Sequence, residues 1–175
     1  KVQTVKAASA PTKDYGASHL LSLWKPKLPA SARILETANL RTGPSVVQDR
    51  IAVLSSGATV QITGYALNEQ KETWCHVTTG GKSGWVYAPL LSASEKVPGS
   101  LISAAIGKTV SAVSSPTDVS SSPFDTTTVS SPSLKGQLVT GIATNGARVF
   151  VEVSTSAFAV WTEVTGGVTI GGTAP

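Results

Sequence analysis

The stretch from Trp74 to Leu91, WCHVTTGGKSGWVYAPLL, constrains this chain more than any other. Trp74 to Val77 is a short run with strand character. Thr78 to Gly84 is rich in turn residues, with Gly80-Gly81 at its centre, and Trp85-Val86-Tyr87 is a second strand-like run that Pro89 stops. Two such runs joined by a glycine-containing loop predict a β-hairpin. Two tryptophans on one small hairpin can bury on the order of 150–250 Å² each. The hairpin is therefore expected to close a small barrel.

The residues before it have the same character. Ile34-Leu35 and Ala38-Asn39-Leu40 lead into Arg41-Thr42-Gly43-Pro44, a turn signal. Ile51 to Leu54 is a short strand, turned by Ser55-Ser56-Gly57. Ala58 to Tyr65 alternates, with Val60 and Ile62 on one face and Thr59, Gln61 and Thr63 on the other. Asn68 to Glu72 is a polar loop. Short strands separated by turn clusters indicate an all-β barrel or sandwich.

Taken in order, Leu40-Arg41-Thr42-Gly43-Pro44, Leu54-x2-Gly57-x2-Val60, Trp74-x2-Val77 and Gly84-Trp85-Val86 resemble the bacterial Src-homology-3-like (SH3b) domain. That family's pattern runs N-[VL]-R-[ST]-G-P, L-x-x-G-x-x-V, W-x-x-V and G-W-V. The resemblance covers residues 34–92. It implies a barrel of five or six strands that binds rather than catalyses, often to peptidoglycan or other cell-surface material. It also implies that the loop from Arg41 to Pro44 lies beside aromatic side chains and forms a groove for peptide or glycan. The candidate ligand-binding residues are then Arg41, Thr42, Tyr65, Trp74, Trp85 and Tyr87. Trp74 and Trp85 have a second reading, in which they simply fill the barrel. Tyr65 and Tyr87 are expected at the surface, because their hydroxyls need water or a partner.

Residues 109–175 read as a degenerate second copy with a Ser/Thr-rich insertion. Phe150-x2-Val153-x7-Trp161 repeats the gaps of Trp74-x2-Val77-x7-Trp85. Leu134 to Val139 echoes Leu54 to Val60, and Val113 to Pro116 stands where Leu40 to Pro44 stood, without the Arg and Gly. The other reading of this half is an extra sheet elaborating the first domain. Residues 93–108 read as a linker with a short apolar stretch from Leu101 to Ile106. The expected architecture is all-β: two small SH3-like barrels in tandem, packed together, with an N-terminal extended arm over residues 1–33. A barrel of about sixty residues is marginal alone, so a compact pair is expected.

The arm carries six basic residues against Asp14, a charge of +5 in a chain of net +4, so the body is nearly neutral. A nucleic-acid binder needs its basic stripe on a folded face, and none is expected as a partner. Leu20, Leu21, Leu23 and Trp24 are too apolar for water. They dock either on the same chain or on a neighbouring molecule as an assembly arm. With charged residues at 14% the chain is not of the disordered, highly charged class. No apolar run approaches the roughly 18 residues of a membrane span. The absence of methionine fits a chain trimmed or freed of a secretory signal peptide. Together with the Ser/Thr-rich composition it suggests an extracellular or cell-envelope location, or a virion surface.

Catalysis is not expected. Cys75 and His76 are neighbours, but on a strand they point to opposite faces, and Cys75 shares its face with Val77. One cysteine and two histidines make no tetrahedral metal site. No carboxylate pair and no nucleotide motif stands out, so neither cofactor nor metal is expected. The sequence thus points to a non-catalytic extracellular module that binds cell-wall or surface polymer or peptide. The alternative is a structural subunit of a filament or virion, joined to identical subunits through its arm.

Overall fold

The computed structural model describes residues 15–113, 119–125, 134–155, 158–165 and 168–171. Helix α1 is Ala17–Ser22. Strands β1 (Ala30–Arg33), β2 (Ala38–Arg41), β3 (Arg50–Leu54), β4 (Thr59–Leu67), β5 (Thr73–Thr79) and β6 (Lys82–Tyr87) follow, then a 3-10 turn at Ala88–Leu90 and helix α2 (Gly99–Ala105). The remainder is β7 (Thr109–Val113), β8 (Val119–Ser120), β9 (Leu138–Thr144), β10 (Val149–Ser154), β11 (Ala159–Glu163) and β12 (Val168–Gly171).

The strands form one antiparallel sheet, ordered β3-β2-β6-β5-β4-β9-β10-β11-β8, with β1 on β4 and β7 joining β12 and β9. The expected hairpin is β5–β6. Its strands run further into the turn-rich segment than the sequence indicates, and its loop is only Gly80-Gly81, with φ of 53° and 76°. Two positive φ values in a two-residue loop match the right-handed twist of the strands, which is why glycine sits at both.

The halves meet where β4 pairs with β9, in the register Tyr65↔Thr144, Ala66↔Ala143 and Leu67↔Ile142. On either side the pairings run in the same order. Trp74 lies across from Ala66 and Phe150 across from Ala143. His76 lies across from Trp85 and Glu152 across from Trp161. β2 joins β6 at Arg41↔Trp85, and β8 joins β11 at Ser120↔Trp161. The strand standing where β2 stood is therefore Val119–Ser120. It is not Val113 to Pro116, of which Val113 ends β7 and residues 114–116 lie outside the described residues.

Two aliphatic cores and one aromatic cluster hold this sheet. Leu40, Val60, Ile62, Tyr65, Cys75, Val77 and Val86 fill the first core. Val139, Ile142, Val151, Val153, Val160 and Ile170 fill the second, into which β4 also sends Leu67. Ala66, Trp74, Trp85, Ala143, Phe150 and Trp161 make the aromatic cluster between the halves.

Residues 15–33 are not a free arm. Leu20 is buried in the second core, Leu21 and Leu23 pack against it, and Trp24 packs against both cores. Tyr15 exchanges backbone hydrogen bonds with Ile170. The expectation of an arm reaching to a neighbour is corrected for these residues, since Leu20 is buried and Leu21, Leu23 and Trp24 are half-buried against the chain's own cores; residues 1–14 lie outside the described residues. The segment expected as a linker also contributes to the core. Leu101, Ala104 and Ala105 fall at i, i+3 and i+4, one face of a helix, and α2 buries all three.

Candidate binding groove

Arg41 ends β2, and a bulge between Leu40 and Arg41 turns the chain out into the loop 42–49. Arg41 pairs in register with Trp85, so this loop is fixed beside the β5–β6 hairpin. The Arg41 Nη1 donates to the Gln48 carbonyl at 3.0 Å, and the Thr42 N–H donates to the Asp49 carbonyl at 2.9 Å, which closes the loop on itself. Thr42 is exposed and Arg41 half-buried.

The two motif glycines have steric reasons. A Cβ on Gly84 would stand 2.7 Å from the Arg41 carbonyl oxygen and 2.8 Å from Leu40 Cγ. Only glycine lets β6 approach β2 this closely. A Cβ on Gly43 would meet Gln48 Cγ at 2.8 Å and Ser122 Cβ at 3.1 Å. The Pro44 carbonyl accepts from the side chain of Asn68, a buried residue, at 2.9 Å, which ties the loop to the β4–β5 turn.

The aromatic candidates separate into three situations. Tyr65 is not at the surface as expected but 1% exposed. The register of β4 shifts between Ile62 and Gly64, and this bulge puts Tyr65 on the same side as Ile62. Its hydroxyl finds a partner there, accepting the Glu95 N–H at 3.1 Å, while Trp24 packs on its ring at 5.3 Å. Burial, the largest influence, raises the Tyr65 phenol above its ordinary value.

Trp74 and Trp85 are 2% and 1% exposed. They neither fill the barrel interior nor offer an open stacking face, because both lie in the aromatic cluster between the halves. The Trp74 indole N–H makes no hydrogen bond among the described residues. Tyr87 is half-buried, its ring 5.4 Å from Trp74 at the rim of the cluster. The structure thus brings Arg41, Thr42 and Trp85 together, keeps Tyr87 nearby, and removes Tyr65 to the core.

The Ser/Thr-rich insertion of the second half covers this place. Phe124 stacks on Trp85 with ring centroids 5.8 Å apart and planes 9° apart, and it makes T-shaped contacts with His76 and Phe150 at centroid distances of 5.6 Å and 4.9 Å. The Gln48 side-chain amide donates to the Ser121 carbonyl at 3.1 Å. An aromatic amid Ser and Pro, Ser122-Pro123-Phe124, is the one signal in the sequence that marks it.

The neighbouring titratable groups are shifted by burial. Cys75, at 0% exposure in the first core, has its thiol pushed up to about 12. His76 is held below its ordinary value by desolvation, with Thr63 Oγ1 2.7 Å from its Nδ1. Across the halves, Glu152 occupies the place that His76 holds, facing a tryptophan. Burial and then the charge of Glu69 push its carboxyl up to about 7, and one of its oxygens has no hydrogen-bond partner. Among the described residues no group of three His, Cys, Asp or Glu could hold a metal ion. No described helix is long and apolar enough to cross a membrane.

Comparison with known families gives one match, the bacterial SH3 domain, over residues 36–92, and no second copy is detected. No curated protein and no solved structure matches the chain. The matched segment begins just before β2 and ends just after the 3-10 turn, and so contains the loop 42–49 and both strands of the hairpin. Residues 36–92 of this chain are a bacterial SH3 domain.

Proposed function

We propose that this chain is a non-catalytic binding module of the bacterial cell envelope. It recognises a wall peptide or glycan through the groove between the Arg41–Pro44 loop and the strand bearing Trp85 and Tyr87. The bacterial SH3 domain is typically a cell-wall binding module. The observation that carries the proposal is the in-register pairing of Arg41 with Trp85, which sets the motif loop against the aromatic strand.

We further infer that residues 109–171 are a diverged second barrel of the same kind. Its support is the recurring order of pairing around Ala66 and Ala143. Further support comes from paired turns: the Gly57 N–H donates to the Ile34 carbonyl, and the Gly136 N–H to the Val110 carbonyl. Ser120 stands opposite Trp161 where Arg41 stands opposite Trp85, so this half lacks the cationic side of a groove. Ligand binding is therefore assigned to the first half. Leu20, the apolar anchor of the N-terminal segment, lies in the chain's own core and is not free to join a neighbour.

Co-sedimentation with purified peptidoglycan sacculi at low salt tests the proposal. Wild-type protein is expected to sediment with the wall. Arg41→Ala should bind roughly tenfold or more weakly, the scale of losing a charged hydrogen-bonding group. Wild-type protein left in the supernatant at low salt, together with a Phe124→Asn variant left there too, would remove the proposal.

A further inference from the structure

Trp85 is the aromatic side of the proposed groove, yet a residue nearly forty positions downstream covers it. Phe124 lies parallel to the indole, and the segment behind it spans to the opposite wall: Ser121 accepts from Gln48, and Ser122 stands against Gly43. This segment thus touches both sides of the groove, loop and strand. It does so at a local cost. Phe124 has φ of 64°, a left-handed backbone that bulky side chains rarely adopt. Such a conformation persists only where surrounding contacts hold it. Here those contacts are the rings of Trp85, His76 and Phe150.

We propose that the groove is built for an uncharged peptide segment with an aromatic side chain seated on Trp85, and that residues 121–124 hold this place in cis, so that an outside ligand binds after displacing Phe124. The occupant defines the chemistry. It contributes two serines, a proline and a flat apolar ring, none of them charged, and it meets the groove through a backbone carbonyl and through stacking. The inference rests on the binding reading above, and its test separates the two.

The test compares wild type with Phe124→Asn. Asparagine tolerates the left-handed backbone, so the variant removes the ring without adding strain. The first probe is N-acetylphenylalaninamide, followed by tryptophan fluorescence. It is expected to bind the variant at least roughly tenfold more tightly than wild type, about 1.4 kcal/mol. Equal binding to both proteins, or no binding to a folded variant, overturns the inference. The second readout uses sacculi, which the variant should bind more tightly than wild type by a similar factor. A variant that takes the amide probe while neither protein touches sacculi upholds the occupied groove and rejects the wall ligand. A variant that binds sacculi no better than wild type and ignores the probe does the reverse. Hydrogen exchange on the wild type needs no variant: saturating probe should speed exchange of the amides of Ser121, Ser122 and Phe124, and unchanged exchange there counts against displacement.

Discussion

Ala66 on β4 faces Ala143 on β9, and both are essentially inaccessible, at 0% and 1% exposure. Trp74 lies next to one and Phe150 next to the other. The two small side chains leave room for the rings of Trp74 and Phe150 on either side of them, so the joint between the halves is part of the core.

Overpacking that joint should therefore destabilise the whole chain. Ala143→Leu is expected to cost about 1–3 kcal/mol. Thermal denaturation should show one lowered transition, since both halves share the sheet. Two separate transitions, with only one of them moved, would indicate independent barrels.

The N-terminal segment should matter for stability in the same way. Leu20 sits in the second core against α2, and Leu20→Ala is expected to cost about 2–5 kcal/mol. Denaturant unfolding measures it. A change within the error of the fit would mean that the segment is only loosely attached.

His76 and Glu152 should give the fold opposite pH dependences. Glu152 folded keeps its proton up to about 7, whereas its ordinary value is 4.5. Its contribution is complete below 4.5 and disappears as pH rises through about 7. His76 folded resists protonation below 6.5, so its contribution is present above 6.5 and falls as pH drops from there. Glu152→Gln should raise stability by about 2 kcal/mol near pH 8 and flatten the loss between pH 5 and 7. Urea midpoints for both proteins across that range check the sign.

Cys75 should be chemically silent in the native protein. A thiol pushed up to about 12 by burial presents almost no thiolate at neutral pH. Alkylation by iodoacetamide should be negligible until denaturant opens the first core, then rapid. Rapid labelling of the folded protein would contradict its placement.

The features legible in the sequence were those with local causes. The Trp74–Tyr87 hairpin, the opposed faces of Cys75 and His76, and the inward Val60 and Ile62 all follow from period-two alternation and turn chemistry. Tyr65 escaped that logic because the bulge before it shifts the alternation by one residue. Helix α2 escaped because seven residues give too short a window for a period. The local pattern leaves Trp85 between groove and barrel interior and does not say what covers it. Phe124, far along the chain, does so, and no local rule links the two.

Amide and indole chemical-shift mapping with solubilised muropeptides is the most direct test of ligand binding between the Arg41–Pro44 loop and Trp85. The largest changes are expected at Thr42, Gly43 and the Trp85 indole, with matching changes at Ser121, Ser122 and Phe124 as that segment leaves. Changes confined to β9–β12, or none at millimolar ligand, would contradict it.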